Sequence, residues 1–267
     1  MLKCPNCHAL LVKNEKSFLC SNNHNFDIAR SGYVNLLLAH EANKQPGDNI
    51  QMVHSRLHFM KAGFYDPLGM LIKAILASFV SSNQVILDCG CGPGFFTNIL
   101  KQAFHDCDIY GLDVSKKAID VAAKTYKDIL FVVGSAAYLP FFDESVDVLV
   151  NIFAPHFESE FHRVLKKTGL LVKVVPNTNH LKQLKVLLYD NPLFYTPKKL
   201  EQSCWHIFSE IPLTYDVNIK HEQLVNLLQM TPYWYTTHPE DLEKINQITD
   251  MVLTMDFLIY VIKRSSS

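Results

Sequence analysis

Four residues near the start of the chain have the types and the spacing to hold a metal ion. Cys4, Cys7, Cys20 and His24 read C-x2-C-x12-C-x3-H. Zn2+ takes four ligands in a tetrahedron, and two close pairs separated by a hairpin-length loop supply that geometry. His8 follows Cys7 directly and competes for the fourth place. His24 is preferred, because adjacent residues rarely reach the same ion. Four protein ligands leave no open position for a catalytic water, so a site of this kind is structural. Zinc modules of this sort often bind nucleic acid. Phe26 and Tyr33 could support the site or present aromatic surface to RNA.

A second constellation runs from Val85 to Thr97, where Val-Ile-Leu-Asp-Cys leads into Gly90-Cys91-Gly92-Pro93-Gly94 and then a helical stretch. Glycines at a strand-to-helix turn let backbone approach a ligand closely. Dinucleotide enzymes carry a similar turn, but three features favour S-adenosyl-L-methionine. Asp88 ends the strand before the glycines, the spacing is G-x-G-x-G, and a second strand ends in Asp113. Asp113 can accept from both ribose hydroxyls, although a dinucleotide site would use it in the same way. Gly134 to Phe141 follows the third strand, at the place that lines adenine in methyltransferases. Cys89 and Cys91 are read as small residues that fit the turn, not as ligands or nucleophiles.

The elements that must position these residues alternate. Strand-like runs cover Val85–Cys89, Ile109–Val114, Leu130–Val133, Val146–Phe153 and Leu170–Val175, with helical patterns at Phe95–Phe104, Lys116–Tyr126 and Glu158–Leu165. That order gives a parallel, doubly wound α/β sheet. Leu213–Ile219, a helix over Glu222–Met230, and Phe257–Ile262 close it with a final strand pair. Upstream, Asp48 can cap a helix running to Phe64, and a second helix covers Pro67 to Val80. The expected division is a zinc-binding, RNA-recognition domain over 1–36, a linker and helix over 37–70, and the catalytic domain over 71–267.

With 48% hydrophobic and 19% charged residues, the chain can build a sizeable core. No apolar run reaches the ~20 residues of a membrane span, and Met1 to Pro5 lacks a signal-peptide core, so the expectation is a cytoplasmic protein without membrane contact. Seven cysteines in a reducing compartment indicate metal or free thiols. Net charge is −1, yet eight basic residues between Arg163 and Lys199 (Arg163, Lys166, Lys167, Lys173, Lys182, Lys185, Lys198, Lys199) face one acid, Asp190. That stretch reads as a phosphate-facing side.

Chemistry narrows the acceptor. Methylation at pyrimidine C5 needs a nucleophilic cysteine, and Cys107 and Cys204 have no motif for it. Exocyclic-amine enzymes carry an Asn/Asp-Pro-Pro-aromatic clamp after the fourth strand, where this chain has Asn151-Ile152-Phe153-Ala154-Pro155-His156. A ring nitrogen or a small molecule remains. Beyond the zinc set and cofactor motifs, the chain carries His24-x-Phe26-Asp27, Gly32-Tyr33-Val34-Asn35-Leu36-Leu37, Pro46-Gly47-Asp48, Arg56, Phe59 to Pro67, Leu139-Pro140-Phe141, Ala154-Pro155 and Leu228-Gln229-Met230-Thr231-Pro232. On these strings it resembles, over essentially its whole length, the RlmA family of bacterial 23S rRNA guanine-N1 methyltransferases. Before the fifth strand, Lys166-Lys167-Thr168-Gly169 stands where Lys-Pro-Gly-Gly is usual, which alters a turn and no chemistry.

The resemblance implies a Rossmann-like class I methyltransferase with a mostly parallel seven-stranded sheet and a small N-terminal zinc domain. It implies S-adenosyl-L-methionine contacts from Tyr65, Phe96, Thr97 and His180 beside Asp88, Gly90, Gly92, Gly94 and Asp113. It also implies a target at guanine 745 or 748 of 23S rRNA, and pairing into a homodimer. Transfer to N1 requires loss of the N1 proton; His156 and His180, beyond the carboxyl ends of strands, are the candidates for that base. The flipped guanine would stack on Phe153, Tyr65 or Tyr33. Two other readings stay open: a small-molecule methyltransferase with an incidental zinc knuckle, and a non-catalytic RNA-binding factor.

Overall fold

The computed structural model describes residues 1–38, 49–189, 191–197, 205–231, 234 and 239–264. Strands β1 (Leu11–Lys13), β2 (Ser17–Cys20) and β3 (Asn25–Asp27) make a small antiparallel sheet. The large sheet contains β4 (Val34–Asn35), β5 (Val85–Cys89), β6 (Asp108–Asp113), β7 (Leu130–Val133), β8 (Val146–Ile152), β9 (Leu165–Pro176), β10 (Trp205–Lys220) and β11 (Asp250–Arg264). Its order is β10-β11-β9-β8-β5-β6-β7-β4, antiparallel only where β11 meets β10 and β9. Helices α1 (Ile50–Phe59), α2 (Asp66–Ala77), α3 (Phe95–Ala103), α4 (Lys116–Thr125), α5 (Glu158–Val164), α6 (Lys182–Leu188), α7 (His221–Gln229) and α8 (Pro239–Asn246) accompany these strands.

Local chemistry explains the elements around the site. β5 is apolar except for Asp88 near its end and is buried at every residue, as a central parallel strand covered on both faces must be. α4 begins where Ser115 accepts a hydrogen bond from the Ala118 amide, satisfying an otherwise unpaired donor. The chain order reverses about β5, which lies between β6 and β8, so the crevice at their carboxyl ends is the position where such sheets bind ligands.

The sheet has eight strands rather than the expected seven. Val34 and Asn35, within the Gly-Tyr-Val-Asn-Leu-Leu string, pair in parallel with Val132 and Val133. The Leu36 amide then donates to the Val133 carbonyl at 2.8 Å. That string therefore fastens the N-terminal module to the sheet edge. The expected edge at 36/37 follows directly on this strand, and the edge at 70/71 falls inside α2. Leu2, Cys4, Leu11, Phe18 and Cys20 share a hydrophobic cluster with Leu139, Phe141 and Phe161. The Lys3 amide donates to the Pro140 carbonyl at 2.9 Å.

Other boundaries moved for physical reasons. The helix expected to reach Phe64 is α-helical only to Phe59, then widens into a π turn over Met60–Phe64. Phe59 and Phe64 are five residues apart, the spacing a π turn places on one face, and their rings stack at 4.8 Å. The expected cap Asp48 lies outside the described residues; Asn49 caps α1 by accepting from the Met52 amide at 2.9 Å. β10 starts well before Leu213. Pro212, which looks like a break, is tolerated because β10 is an edge strand with an unpaired side. α6 and α8 had no counterpart in the sequence reading.

The basic stretch does not form one phosphate-facing side. Lys166 pairs with Asp147 at 2.8 Å, Lys185 is buried and Lys173 half-buried. Among the described members, Lys167 and Lys182 are exposed; Lys198 and Lys199 lie outside the described residues. Arg163 is also turned inward. It donates to the carbonyls of Leu139 (2.9 Å) and Phe141 (2.8 Å) and pairs with Glu160 (2.8 Å), whose carboxylate accepts the Leu139 amide. Arg163 thus holds the loop on which the zinc module rests.

Among the described residues no helix is long and apolar enough to cross a membrane. Replacing Arg163 by Met leaves Glu160 without its partner in a mostly buried setting, and we expect a loss of roughly 2–3 kcal/mol, discounted for partial exposure. Urea unfolding checks this; an unchanged midpoint would mean the arginine is only a surface ion pair.

Candidate active site and zinc centre

The four N-terminal ligands converge. Their ligand atoms all lie within 4.8 Å of one another. His24 Nδ1 stands 3.3 Å from Cys7 Sγ, 3.4 Å from Cys20 Sγ and 3.6 Å from Cys4 Sγ, and the Cys7 and Cys20 sulfurs are 3.6 Å apart. A tetrahedral Zn2+ with ordinary Zn–S and Zn–N bonds needs separations of about 3.8 Å and about 3.6 Å, so the residues fit the ion. His8 is not in the group; it takes a left-handed conformation (φ 65°) in the first knuckle turn, as Asn23 (φ 61°) does in the second. The Cys7 thiol is drawn down to about 6, first by a hydrogen bond from the Ala9 backbone, which favours the thiolate a metal requires. Phe26 packs half-buried against the core, and Tyr33 is buried beside Cys91 and Phe131, so Tyr33 is no stacking surface.

The glycine turn forms as its spacing requires. Gly90, Gly92 and Gly94 have φ of 84°, 53° and 81°, the left-handed region that a side chain disfavours. A Cβ on Gly90 would stand 2.3 Å from the Ala154 methyl. Gly92 differs: its α-carbon opens onto space in which, among the described residues, only Arg56 comes within 4 Å of a built Cβ. This cradle has the form needed for a ligand lying against backbone, and it is the feature by which the site fits a nucleoside methyl donor. Asp113 closes its far side, accepting the Gly92 amide (2.9 Å) on one oxygen and the Ser115 amide (2.8 Å) on the other. A carboxylate can accept further bonds beyond these two.

Asp88 is buried at the end of β5 and accepts the Thr97 hydroxyl at 2.6 Å. Burial, reinforced by Asp113 and opposed by the Thr97 bond, pushes its carboxyl up to about 7. Burial also pushes the Cys89 and Cys91 thiols far up, so neither is a nucleophile.

Beside the turn, an aromatic box gathers around Phe257. Tyr65, Phe153 and His180 lie 5.9, 5.4 and 4.8 Å from it, centroid to centroid, and Phe96 meets Tyr65 edge-on at 6.1 Å. Phe153 has a left-handed backbone (φ 54°), unusual for a bulky residue, and is 37% exposed where its neighbours are buried. His180 Nδ1 accepts the Asp256 amide at 3.3 Å, which leaves the ring proton on Nε2. Burial, with Lys185 adding to it, lowers its pKa to about 4, so the ring is neutral. It is therefore a donor in this geometry. His156 is elsewhere: it packs on Phe161 and Trp205, in the opposite core, and burial lowers it to about 4 as well. The two histidines are not brought together.

Sequence reasoning did not find Asp256 or Phe257. Asp256 accepts from Asn177, the Asn179 amide and Thr214, and so shapes the loop that carries His180. An acid inside the apolar run Leu253 to Ile262 was the available signal.

Comparison with known proteins agrees with both halves. Residues 2–44 match the family model described as "RlmA, N-terminal", and residues 87–173 match "Methyltransferase domain". A Bacillus subtilis protein named "Putative 23S rRNA (guanine-N(1)-)-methyltransferase YxjB" is 32% identical over 98% of this chain and 96% of its own length. The "23S rRNA (guanine(748)-N(1))-methyltransferase" of Streptomyces fradiae is 33% identical over 68% of this chain and 66% of its own. In fold, the chain is similar to "a Putative Type II Methyltransferase" from Anaeromyxobacter dehalogenans (TM-score 0.52, 17% identity, 73% of this chain and 95% of that one).

The raised Asp88 pKa has a stability consequence. In the unfolded chain the carboxyl titrates near 3.8, so the folded state binds the extra proton between about 4 and 7. Stability from this group is present at low pH and is lost as pH rises through 7. In the ligand-free protein, Asp88→Asn should raise the unfolding free energy at pH 8 by roughly 2–4 kcal/mol and flatten its dependence between pH 5 and 8. Urea titrations across that range decide; parallel curves for the two proteins contradict it.

Proposed function

Because this chain belongs to the RlmA family of 23S rRNA (guanine-N1)-methyltransferases, we propose that its target is N1 of a guanine in a hairpin loop of 23S rRNA. Guanine 745 is the first choice, and guanine 748, the position in the Streptomyces fradiae relative's name, the second. Its cofactors are S-adenosyl-L-methionine and Zn2+. The observation that carries the target class is the partly exposed ring of Phe153, set on a left-handed backbone at the mouth of an otherwise buried aromatic box beside the glycine turn.

S-adenosyl-L-methionine, when bound, supplies a methyl group on a positive sulfur. The chain's own residues do the rest. Asp113 accepts from the ribose hydroxyls, Gly90, Gly92 and Gly94 bring backbone against the ligand, and Asp88 with Thr97 faces its amino-acid end. Tyr65, Phe96 and Phe257 make a dry wall, which favours a reaction that removes charge. Phe153 offers its ring to the flipped purine. His180 acts through Nε2–H as a donor that positions a ligand, and does not take the N1 proton through Nδ1, which already accepts the Asp256 amide. His156 has no part in the transfer.

The zinc module, residues 1–36, is the RNA-recognition unit in this reading, with the cytoplasm as the site of action and a pair of copies presenting two such modules to one RNA. A small-molecule enzyme would show no salt-sensitive binding to an rRNA hairpin. Mapping N1-methylguanine in 23S rRNA from cells with and without the protein tests the proposal. The modification at 745 or 748 should vanish with the protein; an unchanged map at both positions contradicts it.

A further inference from the structure

β5, β8 and β9 lie side by side, and their carboxyl ends lead in turn into the glycine turn, into Phe153 and into the loop to His180 and α6. α6 is clamped to β11. Leu184 and Leu188 enter the core, and the Gln183 side chain donates to Thr254 Oγ1 at 2.8 Å while accepting the Thr254 amide at 3.0 Å. Lys185, on the same helix, is only 5% exposed. Among the described residues its ammonium meets no hydrogen-bond acceptor and no carboxylate; its contact is the Phe194 ring, with Nζ 5.9 Å from the centroid. Its charge reaches His180 and helps to keep that ring neutral. His180 in turn lies 6.5 Å from the Phe153 ring and within 23° of parallel to it. Phe153 and Phe194 are both partly open to solvent. A rigidly placed, unanswered cation thus borders the aromatic box, on the strands beyond Phe153 from the glycine turn.

Buried charges in proteins are ordinarily paired, because an ammonium taken out of water without an acceptor is destabilising. Three donors and a positive charge call for an oxygen ligand, and an anionic one above all. The methyl donor's cradle is at the end of β5, so the ligand here belongs to the acceptor's side. Guanine carries O6 next to N1, and lysine is one of the side chains suited to that oxygen. Loss of the N1 proton leaves a negative charge shared between N1 and O6, which a fixed cation beside O6 stabilises as it develops. Resting on the proposed function, in which a flipped guanine stacks on Phe153, we infer that Lys185 donates to O6 of that guanine, selecting it over a purine without the oxygen and holding the charge while N1 is unprotonated. The N1 proton passes to water, the freed electron pair on N1 forms the bond to the methyl carbon, and the sulfur–carbon pair returns to sulfur, which ends neutral. A charge that destabilises the free protein is retained because the substrate answers it.

The test uses the zinc-loaded full chain and an rRNA hairpin with either guanosine or 2-aminopurine, which has no oxygen at C6, at the position wild type methylates. Wild type should bind the guanosine hairpin about 10- to 100-fold more tightly than the 2-aminopurine hairpin; Lys185→Met should bind the two alike. Single-turnover methylation of the guanosine hairpin should be about 100- to 1,000-fold slower in that variant. Its affinity for S-adenosylhomocysteine should be unchanged, and the urea midpoint of the free protein should be no lower than that of wild type. Lys185→Arg, which keeps the charge, should recover part of both the preference and the rate. If Lys185→Met does not fold, Lys185→Gln carries the same comparison, with a smaller preference for guanosine than wild type. Equal weakening for both hairpins would assign the ammonium to a phosphate, and lost affinity for S-adenosylhomocysteine would assign it to the donor. Either result overturns the inference, as does a folded variant that keeps the wild-type preference and rate. A wild type that methylates no position of the hairpin sinks the proposed function itself, which separates the two failures.

Discussion

Contact between the Gly90 α-carbon and the Ala154 methyl sets how closely the ends of β5 and β8 approach, since any side chain on Gly90 would overlap that methyl. Around this contact the rest of the site is arranged. Asn151 Nδ2 bridges the same two strand ends by donating to the Cys89 carbonyl at 3.1 Å. The next residue but one, Phe153, is thrown into a left-handed conformation and its ring out of the sheet. The glycine turn on one side and Phe153 on the other therefore face one crevice because Gly90 packs directly against Ala154, the residue after Phe153. A looser junction would separate the glycine turn from Phe153, the ring proposed to carry the acceptor, and in-line transfer tolerates little misplacement.

The fold stores unfavourable free energy at this crevice. Phe153 and Leu181 both hold φ near 55°; the first is a member of the aromatic box and the second follows another, His180. Asp88 is buried with, among the described residues, the Thr97 hydroxyl as its side-chain partner and a second acid nearby. Strained backbone and a desolvated acid at one place are common at functional sites, where stability is given up for preorganisation. The offset lies in the extensive apolar packing on both sheet faces and in the merged core beneath the zinc module. That module is stitched to the sheet by β4, by Lys3 on Pro140 and by the Arg163 network, so the zinc module and the crevice are parts of one core.

Much of this was legible in the chain. The Cys4, Cys7, Cys20 and His24 spacing encodes a tetrahedron directly, and the glycine turn between a buried strand and a helix encodes local backbone, so both were found from short-range pattern. The alternation of strands and helices indicated the parallel, doubly wound sheet, though not the order of its strands. What escaped was set by distant partners. Val34 and Asn35 are too short to signal a strand and become one only because β7 offers a free edge. The apparent basic face dissolved because Arg163 and Lys166 find carboxylates and carbonyls that lie elsewhere in sequence. His156 and His180 looked equivalent, both following strand ends, but they project to opposite faces of the sheet. The place of Arg56 above Gly92 depends on α1 docking against α4 and α7, which no local pattern contains.

The central claim is that the Gly90–Ala154 contact builds the cradle for the methyl donor. Its most direct test is calorimetric binding of S-adenosylhomocysteine to wild type and Gly90→Ala, each checked for one bound zinc and a native far-ultraviolet spectrum. The account predicts saturable one-to-one binding by wild type and none measurable by the folded, zinc-loaded variant. Equal binding by the two proteins would contradict it.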